Sequence, residues 1–285
     1  MFPKRKNNDK AKHTPRSTHL ILAGGLFMLA IALVMVFTHR ATLMPALPAY
    51  PLAYLESDGT FYQIDFATSE RTMPAPDEVT WPERYKVVSP DGQWMAQWKW
   101  VAEYYERELW LTPTGITGTP RLYGTFYAAD DPLSWSPDSQ WMTFASYPQD
   151  VDWDSAGPHA VEIWKLHVET GDIVRLSDND YMDSDPFFSP DGTQIAYMSA
   201  ADGYPRVFVM DVATGKSQLT TPTYYGDNPK WSPDGEWIAF ETMWYDATEG
   251  ATYPNVVIVR ADGTLEQPVA FGPASRTSLV GWQTP

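Results

Sequence analysis

From Leu52 to the end of the chain, short apolar runs alternate with clusters of turn formers, and within the runs the apolar positions recur at period two, with no convincing helical period. The pattern predicts strands. Four times, two of them flank the same phrase: Val88-Ser89-Pro90-Asp91-Gly92, Trp135-Ser136-Pro137-Asp138-Ser139, Phe188-Ser189-Pro190-Asp191-Gly192 and Trp231-Ser232-Pro233-Asp234-Gly235. Pro presets φ at the first central turn position, Asp tolerates the next and bonds its own backbone, and Gly supplies positive φ, so each phrase predicts a tight hairpin. Its spacing of 43 to 53 residues marks a repeat architecture.

A second turn recurs between the first ones. It is clearest in Asp211-Val212-Ala213-Thr214-Gly215 and His167-Val168-Glu169-Thr170-Gly171, recognisable in Asp65-Phe66-Ala67-Thr68-Ser69, and looser in Thr112-Pro113-Thr114-Gly115 and Ala261-Asp262-Gly263-Thr264. Five such turns predict five units, each of four antiparallel strands, which is the composition of a propeller blade. The expected fold is therefore all-β: a five-bladed β-propeller of four-stranded antiparallel blades over residues 51–285.

The pattern N/D-P-x-W-S-P-D-G-x-x-I-A-F, followed by a strand ending near Met210-Asp211 and by T-G-x-x-x-x-L-T, resembles the PD40, or TolB-like, β-propeller repeat. Asn228 to Phe240 and Asp185 to Thr221 carry the resemblance almost residue for residue, and looser copies extend it over most of residues 50–285. At the ends, residues 52–73 align with the last three strands of a blade, and Val280-Gly281-Trp282-Gln283-Thr284-Pro285 aligns with the missing first strand. The resemblance implies that the C-terminal strand pairs with the first blade and closes the ring, removing an exposed edge. TolB itself is usually described with six blades; the turns here count five.

The hydrophobic pattern changes character near the N-terminus. Leu20 to Phe37 are eighteen consecutive uncharged, mostly apolar residues, about the minimum for a membrane-spanning helix. They predict a basic cytoplasmic tail over 1–19, a transmembrane helix over 20–38 and a linker over 39–50 containing Pro45 and Pro48. A cleaved signal peptide is the competing reading, but the apolar run is long and no clean small-x-small site follows it. The first forty residues hold seven of the twenty Lys and Arg, against one acid, Asp9, so the N-terminus is expected to stay cytoplasmic and the propeller to lie outside.

Charge and composition then narrow the function. Residues after 40 carry thirteen bases against thirty-five acids, a balance that repels nucleic acid phosphates. There is no Cys, which removes disulfides, thiolate metal sites and cysteine nucleophiles. Gly-x-Ser-x-Gly, His-Glu-x-x-His, phosphate-loop and dinucleotide motifs are absent, so no enzymatic activity is expected.

Strand alternation sorts the connections. The Ser-Pro-Asp-Gly and Thr-Gly turns share one end of the blades, here the turn face; the other end, the loop face, receives the long segments 100–107, 147–159, 177–186, 221–229 and 242–254. These are rich in acids and aromatics, and loops on a rigid scaffold are where function concentrates. The candidate binding residues are Tyr104, Tyr105, Trp153, Asp154, Tyr181, Tyr225 and Trp244, with Asp131, Asp185 and Asn228, each followed by Pro just before an innermost strand, at the channel mouth. Capping and solvation are the plainer roles for such residues.

No cofactor is expected. Asp178-Asn179-Asp180 with Asp183 and Asp185 superficially resembles a Ca²⁺ loop but lacks its central Gly and closing Glu. The resemblance implies a protein-interaction platform in a bacterial cell envelope, with a basic protein or a glycan as partner. The alternative is a carbohydrate-active or glycan-binding propeller using channel-mouth carboxylates, which rests on fold analogy.

Overall fold

The computed structural model describes residues 47–55, 61–68, 70–73, 86–101, 106–115, 118–127, 132–148, 161–246, 251–269 and 278–283. The predicted tail and transmembrane segment lie outside them, as do Tyr104, Tyr105, Asp131, Trp153 and Asp154. Among the described residues no helix is long and apolar enough to cross a membrane.

Those residues are all-β and form five four-stranded antiparallel sheets, the sheet set of a five-bladed propeller, within the unit Pro48–Pro285. The first sheet contains β1 (Leu52–Leu55), β2 (Phe61–Asp65) and β3 (Glu70–Thr72), and the second β4 (Lys86–Val88), β5 (Trp94–Trp100), β6 (Arg107–Pro113) and β7 (Arg121–Phe126). The third holds β8 (Ser134–Trp135), β9 (Trp141–Ser146), β10 (Glu162–His167) and β11 (Ile173–Arg175), and the fourth β12 (Asp183–Phe188), β13 (Gln194–Ser199), β14 (Arg206–Asp211) and β15 (Ser217–Leu219). The fifth comprises β16 (Asp227–Trp231), β17 (Trp237–Asp246), β18 (Ala251–Arg260) and β19 (Gln267–Pro268). The last strand, β20 (Ser278–Trp282), pairs with β1 and supplies the missing strand of the first sheet, as the terminal alignment implies. The Glu241 carboxylate of β17 reinforces this closure by accepting the Leu279 amide at 2.6 Å.

The core lies between sheets. In β17, Trp237 and Ala239 pack with Leu52, Phe66 and Leu279 of the first sheet, while Ile238 and Phe240 pack with Val207 and Val209 of the fourth. Strands buried on both sides read as continuous apolar runs, which is why Trp237-Ile238-Ala239-Phe240 contains no polar residue.

The repeated hairpins have one hydrogen-bond plan. Gly92 N donates to Ser89 O at 2.8 Å, Trp94 N donates to Ser89 Oγ at 3.0 Å, and Gln93 N donates to Asp91 Oδ1 at 3.0 Å. Gly92, Gly192 and Gly235 have φ of 71°, 73° and 73°, and Ser139 occupies the same place at φ 60°. The Ser89 and Ser189 hydroxyls, followed by the backbone amides of Gln93 and Thr193, hold the Asp91 and Asp191 carboxyls below the usual carboxylate range.

The Trp before two of these phrases, and Trp282 at the matching place of β20, have a further role between blades. Trp135 Nε1 donates to Val87 O at 3.1 Å, Trp231 Nε1 to Phe187 O at 3.1 Å, and Trp282 Nε1 to Lys230 O at 2.9 Å, in each case the innermost strand of the preceding blade. Trp282→Phe is expected to lower stability by about 1 kcal/mol, because the ring volume largely remains while one net hydrogen bond is lost. Urea unfolding of the two proteins measures the difference.

Two expectations about the loop face change in detail. Segment 242–254 is for the most part an extended hairpin: β17 and β18 stay paired from Trp237↔Arg260 through Met243↔Pro254 to Asp246↔Ala251. Its paired stretches hold Thr242, Trp244, Tyr245, Thr252 and Tyr253, residue types that suit a strand. Asp185 and Asn228 lie within β12 and β16, at register shifts between Ser184 and Phe187 and between Asp227 and Lys230, with φ of 52° and 49°. A Pro cannot donate to a ladder, so each Asp/Asn-Pro pair bulges out of the pairing.

Candidate binding face

The loop face gathers exposed aromatic surface. Tyr181, Tyr204 and Tyr225 are 44%, 53% and 44% exposed, and Trp100 and Met243 are also open to solvent. Tyr204, which the sequence reading did not single out, stacks on Tyr225 with ring centroids 4.7 Å apart at 24°. The residues are 21 positions apart, in the β13–β14 connection and in the link before β16; only the short turn Asp202-Gly203-Tyr204-Pro205 signals an exposed ring.

Local chemistry holds this pair in place. Glu266 accepts Thr223 N at 2.9 Å and Tyr224 N at 3.1 Å, and Gly226 N donates to Pro205 O at 2.9 Å. A Cβ on Gly226 would lie 2.2 Å from the Phe240 ring, so glycine is required for the link to pass this close to the core. The Arg206 guanidinium lies 5.3 Å from the Tyr225 ring centroid, is ion-paired with Asp202, and donates to Thr221 O at 2.9 Å. Beside the stack, Pro205, Tyr225, Gly226, Asp227, Glu241, Thr242 and Met243 line a cleft of about 150 Å³.

Tyr181 is positioned by a different device. The link before β12 wraps around Glu162, which is fully buried and accepts from Arg175 Nη2 at 2.8 Å, from Asn179 N at 2.9 Å and from the Ser177 hydroxyl. Asn179 Nδ2 in turn donates to Asp183 Oδ2 at 2.8 Å, and Tyr181 N donates to Asn179 Oδ1 at 2.8 Å. Asp183 is fully buried and its Oδ1 has no hydrogen-bond partner. Burial pushes its carboxyl above the usual range, against side-chain hydrogen bonds from Ser199, Asn179 and Ser177.

A folded-state pKa raised above the unfolded one means that the folded state keeps a proton which the unfolded state has released, so this residue's contribution falls as pH rises through that window. Asp183→Asn has no such titration. Relative to the parent, it is expected to be more stable at pH 7 than at about pH 3, where the parent carboxyl is largely protonated in both states. Urea unfolding at the two pH values checks this; an unchanged difference would show that Asp183 is ionised in the fold throughout.

The acids of segment 178–185 diverge. Asp178 pairs with Arg175 at 2.8 Å, Asp180 is exposed, Asp183 is buried, and Asp185 Oδ2 accepts from Ser184 Oγ at 3.2 Å. Among the described residues no group of three His, Asp or Glu could hold a metal ion. Asn228 is buried in β16, and Trp244 stands opposite Tyr253 in the β17–β18 register.

The turn face carries more than hairpins. A cavity of about 370 Å³ opens where the innermost strands run into the Ser-Pro-Asp-Gly turns, lined by Trp135, Phe187, Phe188, Trp231 and Trp282, by Pro137, Pro190 and Pro233, and by Lys230. The recurring Trp/Phe before Ser-Pro was the available signal for this apolar mouth.

The model of the PD40 family, described as the TolB beta propeller domain, matches residues 87–251. An uncharacterized protein of Agrobacterium fabrum, Atu1656, is 28% identical over 199 residues, covering 68% of this chain and 62% of its own length. Dipeptidyl-peptidase 5 of Porphyromonas gingivalis is 36% identical over 116 residues, 38% of this chain and 17% of the peptidase. A TolB homolog of Chlorobaculum tepidum is 27% identical over 39% of this chain and 24% of its own length. The chain thus spans less than two thirds of each of these relatives. A solved structure from Agrobacterium tumefaciens, described as a TolB candidate, shares the fold with a TM-score of 0.53 at 21% identity, over 78% of this chain and 81% of its own.

Proposed function

We propose that this chain, which belongs to the PD40 family of TolB beta propeller domains, is a membrane-anchored binding module that displays its propeller outside the cytoplasm of a bacterial cell and holds an envelope protein on its loop face. The observation that carries the reading is the concentration of exposed aromatic side chains there, with Tyr204 and Tyr225 stacked and braced. Tyr offers large contact area at small entropic cost, and exposed apolar patches on a soluble surface mark interaction sites. The acidic balance of the chain favours a basic partner. The apolar run 20–37 behind a basic tail supports the anchor and its orientation. In this reading the chain acts by binding, without catalysis.

A second reading places the partner at the other end of the channel, and the Trp- and Pro-lined cavity of the turn face favours it. Photo-crosslinking in the intact envelope separates the two. A photoreactive residue at Tyr181 or Tyr204 is expected to capture a defined envelope protein, and one at Pro137 or Pro190 is not. Adducts formed only from the Pro positions would move the site to the turn face. Recovery of a soluble mature protein beginning after residue 40 would overturn the anchor.

A further inference from the structure

We propose that the edge of β17 at Met243 and Tyr245 takes an added β-strand: an extended segment of the partner polypeptide that pairs with this edge through its main chain. The inference rests on the loop face being the binding face, and it names how that face holds its partner. The fifth sheet is built differently from the fourth. In the fourth, β12 accompanies β13 to its last residue, with Asp183 opposite Ser199. In the fifth, β16 begins opposite Glu241, and residues 242–246 of β17 run on with β18 as their one strand neighbour among the described residues.

Hydrogen-bond alternation decides which main-chain groups lie along that edge. In an antiparallel ladder every second pair exchanges its bonds, and the pairs between turn theirs away from the partner strand. Ala261 N donates to Glu236 O at 2.9 Å, which puts Thr242↔Asn255 and Trp244↔Tyr253 among the bonded pairs and Met243↔Pro254 and Tyr245↔Thr252 among the outward ones. Met243 and Tyr245 therefore direct N–H and C=O away from β18, along the line that β16 occupies lower in the sheet. The other edge of the hairpin is blunted, because its outward residue Pro254 has no N–H to donate. An edge Pro guards against strand addition, and residues 242–246 contain none.

The cleft adds a side-chain contact. It lies where the Tyr225-Gly226 link parts from β17, and Pro205, Tyr225, Thr242 and Met243 are among its lining residues. Its volume of about 150 Å³ is room for one side chain, and Pro205 and Tyr225 favour an apolar one. Main-chain pairing of this kind supplies affinity, and a pocket beside the edge selects the residue that fills it. Glu266 and Pro205 already hold the link by its backbone, so little ordering opposes binding.

The full chain serves for every test. In detergent, residue-resolved hydrogen exchange, corrected for intrinsic rates, is expected to show the Met243 and Tyr245 amides of the free protein exchanging about tenfold faster than those of Thr242 and Trp244. Equal protection of all four would mean that the edge is already covered, and would overturn the proposal. In the intact envelope, photoreactive residues placed singly at Met243 and Tyr245 are expected to capture the same protein as one at Tyr204, at positions two residues apart in its sequence, the spacing of a strand in register. Met243→Pro deletes the outward N–H without touching the β17–β18 ladder and is expected to cut the Tyr204 adduct about fivefold, the scale of one net hydrogen bond, while Met243→Ala keeps the N–H and most of the adduct. Unchanged thermal unfolding shows that both variants are folded, and the exchange pattern and adduct spacing decide without them. Adducts without the two-residue spacing, or equal losses in Met243→Pro and Met243→Ala, would sink strand addition and leave the loop face standing. Crosslinks only from Pro137 or Pro190 would remove the reading on which it depends.

Discussion

Glu162→Ala is expected to lower the stability of the propeller by about 3 kcal/mol, the scale for removing one partner from a buried charged network. The carboxylate is fully buried and satisfies the Arg175 guanidinium, the Ser177 hydroxyl and the Asn179 amide. Truncation leaves these donors facing a space that alanine cannot fill. Arg175 is partly exposed and recovers some hydration, while Ser177 is buried and does not. Glu162→Gln keeps an acceptor oxygen and is expected to lose less. Urea unfolding gives the size of the effect, and amide exchange gives its location: protection should fall first across 177–182, the segment that presents Tyr181. A loss below about 1 kcal/mol would mean that water replaces the carboxylate without penalty.

Phe144→Ala is expected to have an effect of similar or greater size, about 3–5 kcal/mol, as for other fully buried aromatic side chains. Phe144 lies in β9 and meets two rings of the second sheet, Phe126 at 4.9 Å between centroids and Trp98 at 5.7 Å, both edge-on. Trp98 and Phe126 are themselves 5.9 Å apart, which closes a three-ring cluster across the interface between the second and third blades. Removing the ring that bridges two sheets takes away the transfer term, the edge-to-face contacts and the support of both neighbours. Calorimetry should show a lower unfolding temperature for Phe144→Ala, with Phe144→Leu between it and the parent. Equal midpoints for Phe144→Ala and the parent would mean that this interface closes around the gap.

Much of the architecture is local and so is readable from residues alone. Ser-Pro-Asp-Gly carries its own hydrogen-bond plan, in which Ser accepts from the strand that leaves the turn and Asp accepts from the amide two residues on. The resemblance to the repeat family added the closing strand, because residues 52–73 lack a first strand and β20 supplies it by pairing with β1. Extended connections were harder to read. Segment 242–254 has enough turn-like Asp, Glu and Gly to suggest a loop, yet pairing from Thr242↔Asn255 to Asp246↔Ala251 keeps its two ends in the sheet.

Period-two patterning and turn chemistry act over a few residues, and by themselves they determined most of the strands, their antiparallel order and the count of five sheets. Tertiary structure alone decided what happens where blades meet. The burial of Glu162, the stacking of Tyr204 on Tyr225, the cleft at Met243 and the apolar mouth ringed by Trp135, Trp231 and Trp282 each join residues from separate strands or separate blades. A strand residue reads as polar or apolar from its own side chain. Whether it is desolvated depends on the distance to a neighbouring blade, and no local pattern records that distance.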